Sequence, residues 1–240
     1  MNSTGSQQMP HVSCHFCGQR AFCFPSALPR QALESFDQLV ERPLPFEHDS
    51  VIVQSGEPFR FLLMARSGLI KQVADADSKQ PHQLLDIYLP GEVVGLEAIG
   101  DTHVGSSFLA ADKAFICRIP YGKLTLFGLR HHSVQKALLL KMGRQLRQRQ
   151  RRFELIYGRC AANKVASFLL DLSTRLKQQG KVPDRFALPL SQIEIASYLD
   201  LAPETVNRHL RRLKKERVAT VANREVVIHA FAGLLADAKR

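Results

Sequence analysis

The sequence predicts an α+β protein whose β-rich N-terminal domain is joined by one long helix to a C-terminal winged helix-turn-helix. Short β-type runs with Gly and Pro turns fill residues 45–127. A proline-free stretch follows, and two short helices joined by a tight turn come after it. We therefore divide the chain into four parts: a cysteine segment (1–28), a β-domain (29–132), a long helix (133–160) and a winged helix-turn-helix domain (161–240).

The β-domain is expected to begin with a helix and to continue with short strands. Leu33, Phe36 and Leu39 lie at helical spacing within residues 29–40. The expected strands are short runs of β-branched and aromatic residues: 51–53, 61–64, 68–71, 84–89, 93–94 and 115–117. Many short strands with Gly-rich corners predict a sandwich, a barrel or a β-roll.

The long helix carries an apolar seam with heptad spacing. Alternating steps of four and three residues pass through Gln135, Leu139, Met142, Leu146, Arg149, Phe153, Ile156 and Cys160. Such a seam predicts pairing with a second copy, whereas the alternative is an amphipathic helix on its own β-domain. The arginines that flank the seam are too charged to be buried widely, which favours the narrow seam of a helix pair over packing of the whole helix on the β-domain. Arg149 interrupts it, and two arginines facing each other would weaken a dimer unless Arg149 turns away.

The helix-turn-helix is indicated by its caps and by the face of its second helix. Ser191 and Glu194 form a capping box, and Pro203 suits the first turn of the second helix. The outer face of that helix presents side chains that read base edges: Glu204, Asn207, Arg208 and Arg211. Behind them lie side chains suited to phosphates: Arg212, Lys214, Lys215 and Arg217. A hairpin over 218–228, with its turn near Asn223, is expected to form the wing.

The charge distribution agrees with a nucleic-acid-binding C-terminal half. The formal net charge is +11, with 12 basic and 13 acidic residues before residue 141 and 21 basic and 9 acidic from there on. A basic domain beside a neutral one is typical of DNA binding, although a solvated basic surface looks the same in charge alone. We expect a cytoplasmic protein without a signal peptide or membrane span. The usual catalytic motifs are missing from the sequence, so we expect no enzyme.

The cysteines form the second candidate site. Cys14, Cys17 and Cys23 are clustered, and Cys117 ends a strand far along the chain. Three clustered thiols and one distant thiol suit a 4Fe–4S cluster or a structural zinc ion, and unliganded thiols are the third possibility. Cys160 is expected to be a buried small apolar residue on the seam.

The order of these parts resembles the FNR branch (fumarate and nitrate reduction regulators) of the CRP-like transcription factors. The resemblance extends from about Cys14 to Leu235. Its most specific elements are the spacing Cys14-x2-Cys17-x5-Cys23 and three short stretches: 90–100 (PGEVVGLEAIG), 117–120 (CRIP) and 204–208 (ETVNR).

The resemblance implies a jelly-roll-like β-roll of the cyclic-nucleotide-binding type and a 4Fe–4S cluster on Cys14, Cys17, Cys23 and Cys117. It implies that the cluster promotes a homodimer along 135–160, which binds a palindrome of the type TTGAT-N4-ATCAA, and that oxygen destroys the cluster. It also implies an activator that contacts RNA polymerase through β-roll loops near 86–92. The alternative is a CRP-like regulator whose cysteines bind zinc or act as a thiol redox switch.

The sequence departs from that family at three places. Cyclic-nucleotide-binding relatives carry an Arg-Ser pair where this chain has Ser106 and Ser107, so no cyclic nucleotide is expected. Asn207 stands where the branch usually has Ser, which leaves the central G·C readout by Glu204 and Arg208 but puts the outer positions in doubt. Arg149 replaces a usually acidic seam residue.

Overall fold

The computed structural model describes residues 12–74, 83–157 and 160–239. The first eleven residues of the cysteine segment lie outside these ranges. The rest of that segment forms two short 3-10 turns, Arg20–Phe22 and Phe24–Ala27, and helix α1 follows at Arg30–Leu39. The helix predicted over 29–40 is thereby confirmed.

The β-domain consists of two antiparallel sheets. Its strands are β1 (Val51–Val53), β2 (Phe61–Ser67), β3 (Ile70–Val73), β4 (Leu84–Tyr88), β5 (Val93–Val94), β6 (Ser107–Ala110) and β7 (Phe115–Pro120). One sheet has the order β1-β6-β3-β4 and the other β5-β2-β7. Their facing side chains, among them Leu63, Ile70 and Phe108, form a buried core. Every strand predicted from the sequence is present, and β6 was missed.

The turn between β2 and β3 requires glycine at position 68. Gly68 has a φ of +77°, and a Cβ atom there would lie 2.7 Å from the carbonyl oxygen of Lys113. A side chain at this position would therefore strain the backbone and clash with the turn between β6 and β7.

Two helices follow the β-domain, and here the prediction needs correction. Helix α2 covers Tyr121–Arg130, where strand-type sequence was expected to about residue 127. Helix α3 covers His132–Ile156 and ends four residues before the predicted end at Cys160. Cys160 is instead the exposed N-cap residue of the next helix, so its placement as a buried residue of the seam was wrong.

The C-terminal domain is a winged helix-turn-helix. Its elements are α4 (Ala161–Gln178), β8 (Arg185–Ala187), α5 (Gln192–Leu199), α6 (Pro203–Lys215), β9 (Ala219–Ala222), β10 (Glu225–Ile228) and α7 (Phe231–Lys239). Strands β9 and β10 form the predicted wing, and Asn223 and Arg224 take φ values of 52° and 60° at its tip. Two positive φ angles match the twist of a two-residue hairpin turn. Helix α7, which the sequence reasoning missed, packs on α4.

The two domains share one apolar core. Leu84, Ile87 and Leu89 of the β-domain are buried in the same cluster as Phe168 and Leu172 of α4. Ion pairs cross the same boundary. The ammonium of Lys71 lies 2.6 Å from Glu194, and Arg175 Nη2 lies 2.5 Å from Glu92. The C-terminal domain is therefore held on the β-domain by both packing and charge. In the described part of the chain, no helix is long and apolar enough to cross a membrane.

Candidate functional site

The four cysteines predicted as ligands line a single cavity. Cys117 lies on β7, opposite Met64 of β2, and Cys14, Cys17 and Cys23 lie in the turns that cover this sheet. The cavity is also lined by apolar side chains, including Met64 and Ile119. The fold thus brings the distant fourth thiol to the three clustered ones, as the cysteine pattern predicted.

Burial keeps Cys14, Cys23 and Cys117 in the neutral thiol form in the absence of a bound cation. Burial raises the pKa of Cys14 to about 12, with a further contribution from Asp37, and it raises the pKa of Cys117 to about 11. Burial also raises the pKa of Cys23 well above its ordinary value. Because only thiolates ligate metals, filling this cavity with a metal centre must release protons.

Four thiolates in one cavity are a donor set for a 4Fe–4S cluster or for a structural zinc ion. Within the described ranges, no three His, Cys, Asp or Glu side chains are grouped so that they could hold one metal ion. Tetrahedral zinc with Zn–S bonds of about 2.3 Å needs sulfurs only about 3.8 Å apart, whereas each thiolate of a cubane binds a different iron and lies farther from the others. Four thiolates also give such a unit a negative charge, and Arg20, Arg42 and Arg66 line the cavity.

Asp37 and Arg42 fix the turn at the first cysteine. The amide of Cys14 donates to Asp37 Oδ1 at 2.7 Å, and Arg42 Nη2 lies 3.4 Å from Cys14 Sγ. Arg42 and Asp37 also form an ion pair. Sequence reasoning missed both residues, because neither is near the cysteines in the chain and neither belongs to a recognisable motif.

The cysteine segment contacts α3 directly. Lys141 Nζ donates to the carbonyl oxygen of Phe22 at 2.5 Å and lies 5.5 Å from the ring centroid of Phe24. Val134 and Ala137 of α3 are buried in the same apolar cluster as Phe24. A rearrangement at the cysteines therefore reaches the first half of α3 without an intermediary.

The candidate seam of α3 is exposed in the single chain. Leu139, Leu146 and Phe153 keep 68%, 70% and 62% of their surface accessible. Met142 is also exposed, and Ile156 is half-buried. An apolar stripe of this length on a helix is suited to burial against a second copy.

Arg149 does not point along this stripe. Its Nη2 lies 3.6 Å from Glu97 Oε2 and 3.4 Å from both Tyr88 Oη and Gln72 Oε1. The sequence left open whether Arg149 faces a partner or turns away. In the fold it turns towards its own β-domain.

The partners of Arg149 form a polar network inside the β-domain. Gln72 Nε2 donates to Glu97 at 3.0 Å and to Ser106 Oγ at 2.7 Å, and the hydroxyl of Tyr88 donates to Gln72 at 2.8 Å. Ser106 belongs to the pair that replaces the Arg-Ser of cyclic-nucleotide-binding relatives. The chain fills that place with its own side chains.

The recognition helix α6 presents its predicted reading face to solvent. Glu204, Arg208 and Arg211 are exposed and Asn207 is half-buried. Val206, Leu210 and Leu213 form the buried stripe. The capping box that starts α5 is present, with the Glu194 amide 3.2 Å from Ser191 Oγ and the Ser191 amide 2.7 Å from Glu194 Oε2.

Two surface assignments need correction. Arg212 was expected to contact phosphates, but it lies half-buried and pairs with Asp237 of α7 at 2.6 Å. Lys214, Lys215 and Arg217 remain exposed. The stretch 86–92, expected to contact RNA polymerase, is not a surface loop: Asp86 and Leu89 are buried against the C-terminal domain.

Sequence comparison finds relatives over the full length of this arrangement. Residues 163–236 match the Crp-like helix-turn-helix domain. The chain is 30% identical over 219 residues to the regulatory protein HlyX of Actinobacillus pleuropneumoniae, covering 91% of this chain and 90% of that one. It is 29% identical over 220 residues to the transcriptional activator protein anr of Pseudomonas aeruginosa, covering 92% and 90%. It is 29% identical over 225 residues to the fumarate and nitrate reduction regulatory protein of Vibrio cholerae, covering 93% and 89%.

Solved structures agree with the fold. FixK2 from Bradyrhizobium japonicum superposes with a TM-score of 0.72 at 24% identity, covering 82% of this chain and 96% of that one. A CRP/FNR-family transcriptional regulator from Thermus thermophilus superposes with a TM-score of 0.63 at 20% identity, covering 83% and 99%. These likenesses confirm the predicted architecture of β-roll, long helix and C-terminal helix-turn-helix.

Proposed function

The chain belongs to the CRP/FNR family of DNA-binding transcription regulators, and from this premise we propose that it is an oxygen-responsive activator of anaerobic genes. In this proposal Cys14, Cys17, Cys23 and Cys117 hold a 4Fe–4S cluster, and the cluster-loaded chain is a homodimer. The names of its relatives refer to anaerobic regulation and to fumarate and nitrate reduction. The protein is a cytoplasmic regulator rather than an enzyme.

One observation carries the cluster proposal: four thiols from distant parts of the chain line one cavity together with three arginines. When bound there, the cluster supplies a centre that oxygen destroys. The thiolates of the four cysteines hold it, and the guanidinium groups of Arg20, Arg42 and Arg66 offset its negative charge. The apolar wall that includes Met64 and Ile119 limits access of water.

The contacts of the cysteine segment carry its state to the dimer seam. Lys141 and the cluster around Val134 tie that segment to α3. The seam residues Leu139, Met142, Leu146, Phe153 and Ile156 then pair two copies. Pairing places two α6 helices on the two halves of a TTGAT-N4-ATCAA palindrome.

The exposed face of α6 supplies the base contacts. Arg208 reads the guanine of the central G·C pair and Glu204 the amino group of its cytosine, while Asn207 and Arg211 face the outer positions. The bound dimer recruits RNA polymerase. We expect no cyclic nucleotide as a ligand, because the arginine that would bind its phosphate is missing; Gln72 instead hydrogen-bonds to Glu97 and to Ser106 in the β-domain.

The test compares the wild type with Cys117→Ser and Cys160→Ser, all purified without oxygen. Cys160 is the matched control, because it is exposed and does not line the cavity. We expect iron, sulfide and a visible absorbance that air bleaches in the wild type and in Cys160→Ser, but not in Cys117→Ser. In the wild type and in Cys160→Ser, affinity for a duplex that carries the palindrome should fall on exposure to air.

Three outcomes would contradict the proposal. Stoichiometric zinc without iron would replace the cluster with a structural metal site. Equal DNA affinity before and after air exposure would remove oxygen sensing and would leave DNA binding intact. Air sensitivity without any metal would instead indicate a thiol redox switch.

A further inference from the structure

A second cleft lies between α3 and α4, apart from the cysteine cavity. It measures about 560 Å³, which falls within the range of about 300–1,000 Å³ typical of small-molecule sites. Its apolar lining consists of the half-buried Phe22 and of Val93 and Leu96, which are almost fully buried. The long helix and the first helix of the DNA-binding domain form its walls, so the cleft lies where all four parts of the chain meet.

The cleft carries an excess of positive charge. Lys141, Arg144, Arg147 and Arg151 line it from α3. Its two carboxylates, Glu92 and Asp171, are both bound by Arg175, with Nη2 at 2.5 Å from the first and Nη1 at 3.5 Å from the second. Within the ranges that the structure describes, none of the four α3 cations forms an ion pair.

The spacing of these cations suits a chain of phosphates. Arg144, Arg147 and Arg151 follow one another at three and four residues, so they share one face of α3. Seven residues of α-helix span about 10 Å. Arginine binds phosphate through two parallel N–H groups. The half-buried side chain of Phe22 beside these cations offers an apolar surface for a planar ring.

From this combination we infer that the cleft binds a nucleoside di- or triphosphate. The phosphates lie along the arginines of α3, and the base lies against Phe22. This place differs from the polar network at Arg149, because Gln72, Glu97 and Ser106 do not line the cleft; Tyr88 belongs to both.

The cleft stays open when two copies pair along α3. At 100° per residue, Arg144, Arg147 and Arg151 lie on the side of the helix away from Leu139 and Leu146. A bound nucleotide would therefore be compatible with the dimer. Since it would contact both α3 and α4, it would stabilise the orientation of the DNA-binding domain seen here.

The test is a calorimetric titration of the full chain with ATP and, separately, with inorganic tripolyphosphate. The variant is Arg144→Gln/Arg147→Gln, and the control is Arg130→Gln/Lys136→Gln, which removes the same charge from exposed cations outside the cleft. We expect at least a tenfold loss of ATP affinity in the variant and less than a threefold loss in the control. ATP should bind at least fivefold more tightly than tripolyphosphate.

Three results would overturn the inference. Failure of the wild type to bind ATP would remove the site. Equal losses of ATP affinity in the two double variants would show that net charge, and not the cleft, accounts for the binding. Equal affinities for ATP and tripolyphosphate would remove the nucleoside from the ligand. The titration uses neither DNA nor the cluster, so its failure is distinct from a failure of the proposed function. Urea unfolding of both variants checks that neither loss comes from misfolding.

Discussion

Replacing Arg149 with leucine separates its two roles, in the β-domain and on the seam of α3. The side chain links the helix to Glu97, Gln72 and Tyr88, and its backbone position lies on the predicted dimer interface. Arg149→Leu therefore removes a polar link within the chain and extends the apolar seam between chains. The substitution should therefore lower the free energy of unfolding of the single chain and raise the association constant of the dimer.

The contacts of Arg149 determine how much unfolding free energy the single chain loses. A partly exposed ion pair contributes up to about 1 kcal/mol. Leaving a mostly buried carboxylate without its cation adds about 1 kcal/mol, because Glu97 keeps its hydrogen bond from Gln72. We expect the free energy of unfolding to fall by about 2 kcal/mol. Arg149→Leu/Glu97→Gln should recover about half of this, since no charge is then stranded.

The gain in dimer association comes from burying the two new leucine side chains, one from each copy. Burying about half of each leucine side chain gives about 1 kcal/mol per chain. The association constant of the dimer should therefore rise by about thirtyfold, even without a cluster. Arg147→Leu is the matched control, because it makes the same change on the same helix but away from the seam, and it should alter neither quantity.

Urea unfolding and sedimentation of cluster-free protein measure the two effects separately. Burial raises the pKa of Glu97 above its ordinary value, and the cation of Arg149 opposes this rise. Without Arg149 the pKa rises further, so the stability deficit is largest where Glu97 is ionised and shrinks as the pH falls through that pKa. An unchanged urea midpoint would refute the Arg149–Glu97 link, and an unchanged association constant would refute the seam.

Three further tests address other parts of the structure. Glu194→Gln should cost about 1–2 kcal/mol of unfolding free energy at neutral pH. Burial opposes ionisation of Glu194, but hydrogen bonds from Lys71 of β3 and from Ser191 of the cap outweigh this effect and lower its pKa. The loss of stability should therefore disappear as the pH falls through that lowered pKa. Urea midpoints measured over a range of pH would check this. Leu146→Glu should weaken the dimer at least tenfold by sedimentation, whereas Leu126→Glu, equally exposed on α2, should not. In DNA titrations, Arg208→Ala should cost about 1–3 kcal/mol and relax preference at the G·C pair, while Lys215→Ala should weaken all sequences alike and lower the salt slope by about one.

Local signals account for what the sequence predicts well. The capping box at Ser191, the Pro-started helix at Pro203 and the wing turn at Asn223 each depend on residues within a few positions of one another. The strands of the β-domain are marked in the same way by β-branched runs between glycines. Helix α2 escaped prediction because Gly122 and Gly128 weaken its helical signal and it continues directly from a strand.

Contacts between distant residues could not be predicted in this way. Glu97 lies 52 positions before Arg149, and nothing in either local pattern pairs them. The same holds for Lys71 with Glu194 and for Asp37 with Cys14. The sequence could place Arg149 on the seam and indicate that two such arginines would repel each other in a dimer. Only the fold shows that its guanidinium turns to Glu97 of the β-domain.

The docking of the two domains explains how a seam on α3 can control DNA binding by α6. The β-domain and the DNA-binding domain share an apolar core and the ion pairs of Lys71 and Arg175. If α6 were loosely attached, pairing along α3 would leave the distance between two recognition helices undefined. Because it is held, pairing sets their separation, and half-sites about 34 Å apart demand such a fixed distance. In the proposed function, opening or closing the seam would therefore be enough to switch the reading of a palindrome.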